Sequence, residues 1–361
     1  MAKIVNERKT IGAVGLEVMK ASSSLLPIIM LEAIQTKKEY RKIIEGNIDY
    51  CLTKTSIGLE GYYQGKVRDR YDLGSCYALI TTDRQSAFDR ILATVPFKGQ
   101  VLNQTGAWWF NQTKHIIPNH IIELADPNVT IAKECKPFPI EFVVRGFITG
   151  SSSTSLWTIY KEGEREYCGL SLPAGLKKNQ GLAEPVLTPT TKEECHDRPI
   201  SPDEIVKEGW MDKEHWDYCS EKALVLFQHG QEIAKKHGLI LVDTKYEMGL
   251  SEDGEITLID EIHTPDSSRY WIQDSFEQRL QNGQEPENID KEFLRLWFKE
   301  HCDPYHDPEL PPAPKELVTE LSARYIHLYE TITGEDFSFP DFTININERM
   351  QENLRPFLPK V

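Results

Sequence analysis

Residues 239–262 read LILVDTKYEMGLSEDGEITLIDEI, two alternating runs on either side of Ser251-Glu252-Asp253-Gly254. That pattern predicts a β-hairpin. Alternation along the first run puts Asp243, Lys245 and Glu247 on one strand face and Val242, Thr244 and Tyr246 on the other. If Asp253-Gly254 forms a two-residue turn, Glu247 lies directly opposite Asp260. Two carboxylates so placed repel. A divalent cation between them removes the repulsion, and two carboxylates plus substrate phosphate oxygens is a common way of holding Mg²⁺. The competing reading is a solvated hairpin face on which Lys245 neutralises its neighbours.

Working outward, Ala223, Leu224, Phe227, Ile233 and Ala234 recur at helical spacing between His215 and His237, and Gly238 closes that helix. Further upstream, 139–150 (PIEFVVRGFITG) reads as a strand running into a helix at SSSTSLWTIYKEG, with serines as caps and Gly163 as the stop. Gly61 to Thr82 reads as strand, Asp-Leu-Gly turn, strand, the start of a β-rich region. Residues 164–209 are rich in Pro, Gly and charge and are read as a long excursion. Helices are expected at 290–301 and at 314–333, the second stopped by Gly334, and Leu31 to Ile48 reads as an amphipathic helix built on Ile34, Tyr40, Ile43 and Ile44.

Four short motifs carry candidate chemistry. Gln64-Gly65-Lys66-Val67-Arg68-Asp69 places Gly65 and two cations at a strand onset, where amides and Lys66 can hold phosphates. An exposed basic strand is the plain alternative. In Arg145-Gly-Phe-Ile-Thr-Gly150-Ser151 an Arg on an apolar strand precedes a turn into a helix, an arrangement suited to a phosphate. The alternative is that Ser151 to Ser153 only cap and Arg145 pairs structurally. Pro265-Asp266-Ser267-Ser268-Arg269 is a turn cluster able to bring Asp266, Ser267 and Arg269 to the same ligand, or simply a loop. Thr82-Asp83-Arg84-Gln85-Ser86-Ala87-Phe88-Asp89 sits just after a strand, where active-site loops are common. Trp108, Trp109 and Phe110 are assigned to packing.

The chain has 361 residues, is 40% hydrophobic, and carries 41 Lys plus Arg against 56 Asp plus Glu, a net −15. Such a balance disfavours a nucleic-acid partner, and makes local clusters of Arg and Lys more informative than their total. Cys51, Cys76, Cys135, Cys168, Cys195, Cys219 and Cys302 are odd in number, dispersed and never C-x-x-C, which points to a reducing cytoplasm and not to a disulfide framework. No apolar run approaches the ~20 residues of a membrane span, and no signal peptide is recognisable.

GKVRD, TDRQSAFD, VVRGFITGS, LVDTKYEMG and IDEIHTPDSSRYW, in this order, resemble the SAICAR synthetase family over about residues 60–335. The resemblance implies an α+β, two-lobed fold: a small β-rich ATP-binding lobe similar to a kinase N-lobe at 56–138, and a larger α+β lobe at 139–335 with the insert at about 164–209. An accessory segment at 1–55 and an extension at 336–361 flank them. It further implies that Gly65, Lys66 and Arg68 hold ATP phosphates, that Glu247 and Asp260 bind Mg²⁺ or the nucleotide, and that Arg145, Ser151 and Arg269, with Asp266 and Ser267, take the ribotide. Asp83, Arg84, Ser86 and Asp89 would line the imidazole-carboxylate or aspartate side, with Lys66, Lys245 and Asp243 as the catalytic set. Glu194 to Asp197 resemble the long insert of the larger members, and Met248 stands where the family usually has Phe, a packing change.

The implied reaction joins L-aspartate to carboxyaminoimidazole ribotide with ATP and Mg²⁺, through an acyl phosphate. Small-molecule substrates are therefore the expected partners, and a homo-oligomer is left open. A small-molecule kinase of the inositol-polyphosphate type shares the D-x-K strand but gives TDRQSAFD no role, and phosphorylation of an inositol phosphate would distinguish it. A non-catalytic nucleotide-binding module would release no ADP.

Overall fold

The computed structural model describes residues 38–193 and 197–358; the expectations for residues 1–37, and for Glu194, Cys195 and His196, lie outside them. Chain order begins α1 (Lys38–Gly46), β1 (Tyr62–Gln64), β2 (Arg68–Asp72), β3 (Cys76–Thr81), β4 (Arg84–Ala87), β5 (Arg90–Thr94) and α2 (Lys98–Thr113). It continues with β6 (Ile121–Asp126), β7 (Val129–Lys133), β8 (Cys135–Pro137), β9 (Ile140–Ile148), α3 (Leu156–Lys161), β10 (Glu166–Tyr167), β11 (Leu170–Ser171), β12 (Gln180–Leu187) and β13 (Thr190–Thr191). The remainder is α4 (Pro202–Lys207), α5 (Lys213–Lys236), β14 (Leu239–Ser251), β15 (Ile256–Ile259), β16 (Ser268–Ile272), α6 (Gln273–Gln281), α7 (Glu292–His301), α8 (Lys315–Thr333) and α9 (Ile346–Leu354).

The architecture is α+β with two main antiparallel sheets. The first runs β1-β2-β3-β7-β6. Gly74, at φ +92°, opens the two-residue loop between β2 and β3, where Leu73 N–H donates to the Cys76 carbonyl. The second is built around β14, in the order β12-β9-β14-β15, with β8 and β16 also on β14 and β13 on β9. As the central strand, β14 is largely buried on both faces, which explains a sequence dense in Leu, Val, Tyr and Met yet carrying three ionisable residues.

One apolar core lies between this second sheet and α5, where Trp216 stacks on Phe142. Asp212 caps the α5 start by accepting from His215 N–H. A second core gathers Ile44 of α1, Val101 and Leu102 of α2, Leu294 and Phe298 of α7, and the buried side of α8. Gly334 at φ +75° ends α8, as expected. The third core lies under the first sheet, where Met350 and Leu354 of α9 pack with Tyr71, Ile80 and Val129.

Residues 164–209, read as a long excursion, carry β10 to β13 and α4, and β12 extends the second sheet along β9. Two expectations need correction. The helix expected at Ser151 begins only at Leu156 and has six residues, because Ser152 and Ser155 hydroxyls bond each other in a preceding turn. The 239–262 hairpin has a three-residue loop: Gly254 N–H donates to Ser251, Ser251 N–H donates to the Glu255 carbonyl, and Gly254 takes φ +77°. The extra residue shifts the register by one, so Glu247 pairs with Ile259 and not with Asp260.

Candidate active site

The candidate residues divide along β14. At one end Glu247 lines a cleft of about 270 Å³ together with Asp260, Arg68, Lys192 and His120, against the β2 and β3 face of the first sheet. Arg68 donates to Asp260 Oδ1 at 2.6 Å and to its carbonyl at 3.3 Å. Glu247 accepts from Lys192 and, at 3.0 Å, from Lys245, which also donates to Glu141 at 2.7 Å. Each carboxylate therefore has a cation at contact distance, and the two are not cross-strand partners. Asp260 itself sits at φ +67°, where the chain leaves β15.

Electrostatics here favour fixed charges. Burial alone would neutralise Asp260, but Arg68, Lys245 and Lys192 outweigh it and hold the carboxyl at about 2. Burial likewise disfavours a charged Lys245, yet Glu247 and Glu141 raise its pKa well above the ordinary lysine value. Lys245 is thus held in its charged form by the two glutamates. Neutral His120 follows from burial, with Arg68 adding to it, which pushes its pKa down to about 4.

Two residues back along β14, on the same face, Lys245 gives way to Asp243, which faces the other group. Arg269 donates to Asp243 at 2.6 Å, and Arg145, its β9 neighbour, lies 3.7 Å from the same oxygen. Asp243, Asp266, Ser267 and Arg269 line a cavity of about 100 Å³ with Asp290, Lys291, Glu292 and Arg295. Ser151 Oγ donates to Glu292 at the edge of this group. The span from Asp243 to Glu247 is about 13 Å at ~3.3 Å per residue, so one strand connects cleft and cavity through Lys245.

Of the TDRQSAFD residues expected to line a substrate, Asp83 and Arg84 are taken up by backbone groups. Asp83 is buried and accepts from Leu52 N–H at 2.7 Å and Gly99 N–H at 2.9 Å. Arg84 is buried too, donating to the carbonyls of Gly65, Lys66 and Thr53 and to Asp69 at 2.6 Å. Both hold backbone, and Arg84 fixes the Gly65-Lys66 loop. Gly65 is required there, since a Cβ would lie 2.7 Å from the Arg68 carbonyl. Ser86 is half-buried in β4. Phe88 and Asp89 form the β4–β5 tip with φ +54° and +58°, and Asp89 meets the exposed Lys66 at 2.5 Å. Asp266 does not face solvent: it is held by Lys98 at 2.9 Å and by Tyr325 Oη at 2.6 Å.

Sequence reading missed Lys192, Glu141, His120, Lys98, Lys291 and Arg295. Only the last two left a signal, because Lys291, Arg295 and Lys299 recur every four residues on an expected helix. The others reach the site by long-range packing. Among the described residues no cluster of three or more His, Cys, Asp or Glu is arranged as a metal cage, so any cation here would take two carboxylates and complete its shell from phosphate and water. Asp260 and Glu247 fit that role: both line one cleft, and Asp260 is held ionised.

Comparison with known proteins gives one answer. The SAICAR synthetase family model matches residues 61–311. A phosphoribosylaminoimidazole-succinocarboxamide synthase of Legionella pneumophila (strain Paris) is 62% identical over 309 residues, 86% of this chain and 99% of the relative. That match is longer than 60–335, so part of the flanking sequence also has a counterpart. Among solved structures, the Saccharomyces cerevisiae SAICAR synthase complexed with SAICAR aligns with a TM-score of 0.68 and 31% identity, covering 80% of this chain and 100% of that one. A SAICAR synthetase in complex with ADP aligns at 0.59 and 26%, covering 77% and 100%. The chain belongs to the SAICAR synthetase family.

Proposed function

We infer that this chain is an ATP-dependent ligase of purine biosynthesis, joining L-aspartate to carboxyaminoimidazole ribotide to give SAICAR, ADP and phosphate. The observation that carries the residue-level reading is β14, which strings Asp243, Lys245 and Glu247 between a cleft and an anion-lined, Arg-rich cavity. ATP use rests on kinship with the ADP-bound relative, and we place the triphosphate in the Arg68–Glu247–Asp260 cleft. The Gly65-Lys66 loop, just ahead of Arg68 in the chain, is assigned to the same phosphates. The ribotide phosphate is assigned to Arg145, Ser151 and Arg269, a fork of two guanidiniums and a hydroxyl.

A carboxylate is a poor electrophile, so the reaction is proposed to run through an acyl phosphate. The ribotide carboxylate oxygen attacks the γ-phosphorus and ADP leaves. The amine of aspartate, having lost a proton, then attacks the acyl carbon and phosphate leaves with the former carboxylate oxygen. Lys245 and Arg68 would offset the negative charge gathering along this path, a matter of positioning and electrostatics. Mg²⁺, held by Glu247 and Asp260, would supply charge neutralisation at the phosphates. Among the described residues no helix is long and apolar enough to cross a membrane, and from the dispersed cysteines, free wherever the structure describes them, we place the enzyme in a reducing compartment such as the cytoplasm.

Assaying ADP release with the ribotide, L-aspartate, ATP and Mg²⁺, each omitted in turn, tests the reading. Release is expected only with all four. ADP formed on an inositol phosphate and none on the ribotide would overturn it.

A further inference from the structure

Helix α8 begins at Lys315, beyond the residues 61–311 that the family model matches, yet Val318 to Ile326 are buried without a break. Among these, Glu320, Ser322, Arg324 and Tyr325 carry charges or hydroxyls. Stability does not call for them, because apolar side chains of similar volume in place of buried charged groups are often neutral or stabilising. Their effect lies in what they hold.

Tyr325 Oη donates to Asp266 Oδ1 at 2.6 Å. The same oxygen accepts from Gln85 Nε2 at 3.2 Å, while Oδ2 faces Lys98 Nζ at 2.9 Å. Burial alone would neutralise Asp266, but Lys291, Lys98 and the Tyr325 hydroxyl hold its carboxyl well below the usual carboxylate range. The Tyr325 bond is therefore charge-assisted. Asp266 sits inside a tight turn, in which Ser268 N–H donates to the Thr264 carbonyl at 3.0 Å and Thr264 N–H to Ser267 Oγ at 3.2 Å. Pinning Asp266 thus pins Ser267 and the start of β16, where Arg269 lies.

The neighbouring Arg324 holds a second loop, its Nη1 donating to the Asn288 carbonyl at 2.6 Å just ahead of Asp290 and Lys291. Glu320 fixes Arg324 by accepting from its Nε at 2.7 Å, and is itself met by Arg41 of α1 at 2.5 Å. Ser322 Oγ adds a bond to the Pro96 carbonyl at 2.7 Å, just before Lys98. One face of contacts on α8 therefore reaches both loops and the residue that grips Asp266 from the other side.

We propose that Arg324 and Tyr325 of α8 are positioning residues of the ligase site, setting the loop with Ser267 and Arg269 against the loop with Asp290 and Lys291. This rests on the ligase reading above. Both residues act through others, Tyr325 through the Asp266 carboxylate and Arg324 through backbone. Gln85 gains a role as well, since it brings the TDRQSAFD segment to the same carboxylate oxygen.

The test is steady-state ADP release by the full chain carrying Tyr325→Phe, Arg324→Lys or Arg324→Met, and by Asp266→Asn with and without Tyr325→Phe. Tyr325→Phe keeps the ring and is expected to lower kcat/KM for the ribotide about ten-fold, the lower end for losing a charge-assisted bond. KM for ATP should stay within about three-fold, because the cleft proposed for the nucleotide lies at the other end of β14. In the Asp266→Asn background the same change should cost about two-fold or less, since its charged acceptor is already gone. Arg324→Lys, which keeps a donor, should retain more ribotide turnover than Arg324→Met. Unchanged ribotide kinetics in Tyr325→Phe would overturn the proposal, as would an equal loss in both Asp266 backgrounds or an equal loss towards ATP. Should the Arg324 variants fail to fold, the Tyr325→Phe pair decides alone. Failure of the ligase reading would show in the unmodified chain, as no ADP released with all substrates present, whereas failure of this proposal shows only in the variants.

Discussion

At the scale of single residues, Asp260 is the sharpest case. From the sequence it faces Glu247 across a hairpin, and neutralising it should relieve repulsion. In the structure its partner is Arg68 at 2.6 Å, and the carboxyl is held at about 2. Asp260→Asn should therefore lower stability, by about 1–2 kcal/mol for a half-buried charged contact, with or without Mg²⁺. Urea unfolding of the metal-free variant checks this, and a variant at least as stable as the parent would restore the repulsion reading. Activity should fall as well, because the nucleotide cleft loses an ionised oxygen. Arg84 teaches the converse lesson: a charged residue in a motif can serve the site without touching a ligand, here by gripping the carbonyls that shape the Gly65-Lys66 loop.

At the scale of elements, two turns and one strand crossing make separable predictions. The β4–β5 loop places Phe88 and Asp89 both in the left-handed region, which costs a non-glycine residue roughly 1 kcal/mol or more. Asp89→Gly removes that strain and gives up the exposed contact to Lys66, so it should melt no lower than the parent while turning over more slowly. A lowered melting temperature with full activity would contradict this. In the loop after β14, Gly254 has φ +77° with open space around it, whereas a Cβ on Gly249 of β14 would lie 2.6 Å from the Lys136 carbonyl on β8. Gly254→Ala should cost about 1 kcal/mol through backbone strain. Gly249→Ala should cost more, since neither paired backbone can yield, and should also weaken ATP binding, because β8 borders the cleft proposed for the nucleotide at Cys135 and Pro137. Equal losses in the two variants would mean that β8 and β14 separate easily.

At the scale of the whole molecule, buried ionisable groups set opposing pH dependences. His120 and His263 are kept neutral by burial, with pKa values pushed down to about 4 and about 3. Unfolded histidine titrates near ~6.5, so their contribution is complete above that pH and is lost as pH falls towards 4. Asp290 runs the other way: raised to about 7, it favours the fold below the unfolded value near ~3.9 and loses that contribution as pH rises through 7. Melting His120→Gln and Asp290→Asn beside the parent between pH 4 and 8 separates the two arms. The parent's advantage over His120→Gln should shrink on acidification, and its advantage over Asp290→Asn should shrink on alkalinisation. Parallel curves would place neither group in the acid–base response. The sequence by itself determined the elements whose cause is local. Alternation wrote β14, helical periodicity wrote α5 and α8, Gly238 and Gly334 ended them, and five ordered motifs named the family. Only the tertiary structure decided the register of the hairpin, where one residue in a loop moves Asp260 from Glu247 to Arg68. It also decided which cations meet which carboxylates, since Lys98 reaches Asp266 and Lys192 reaches Glu247 from distant parts of the chain. The physical reason is that propensity and periodicity act over a few residues, whereas charge pairing and burial act between segments that come together only when the cores close.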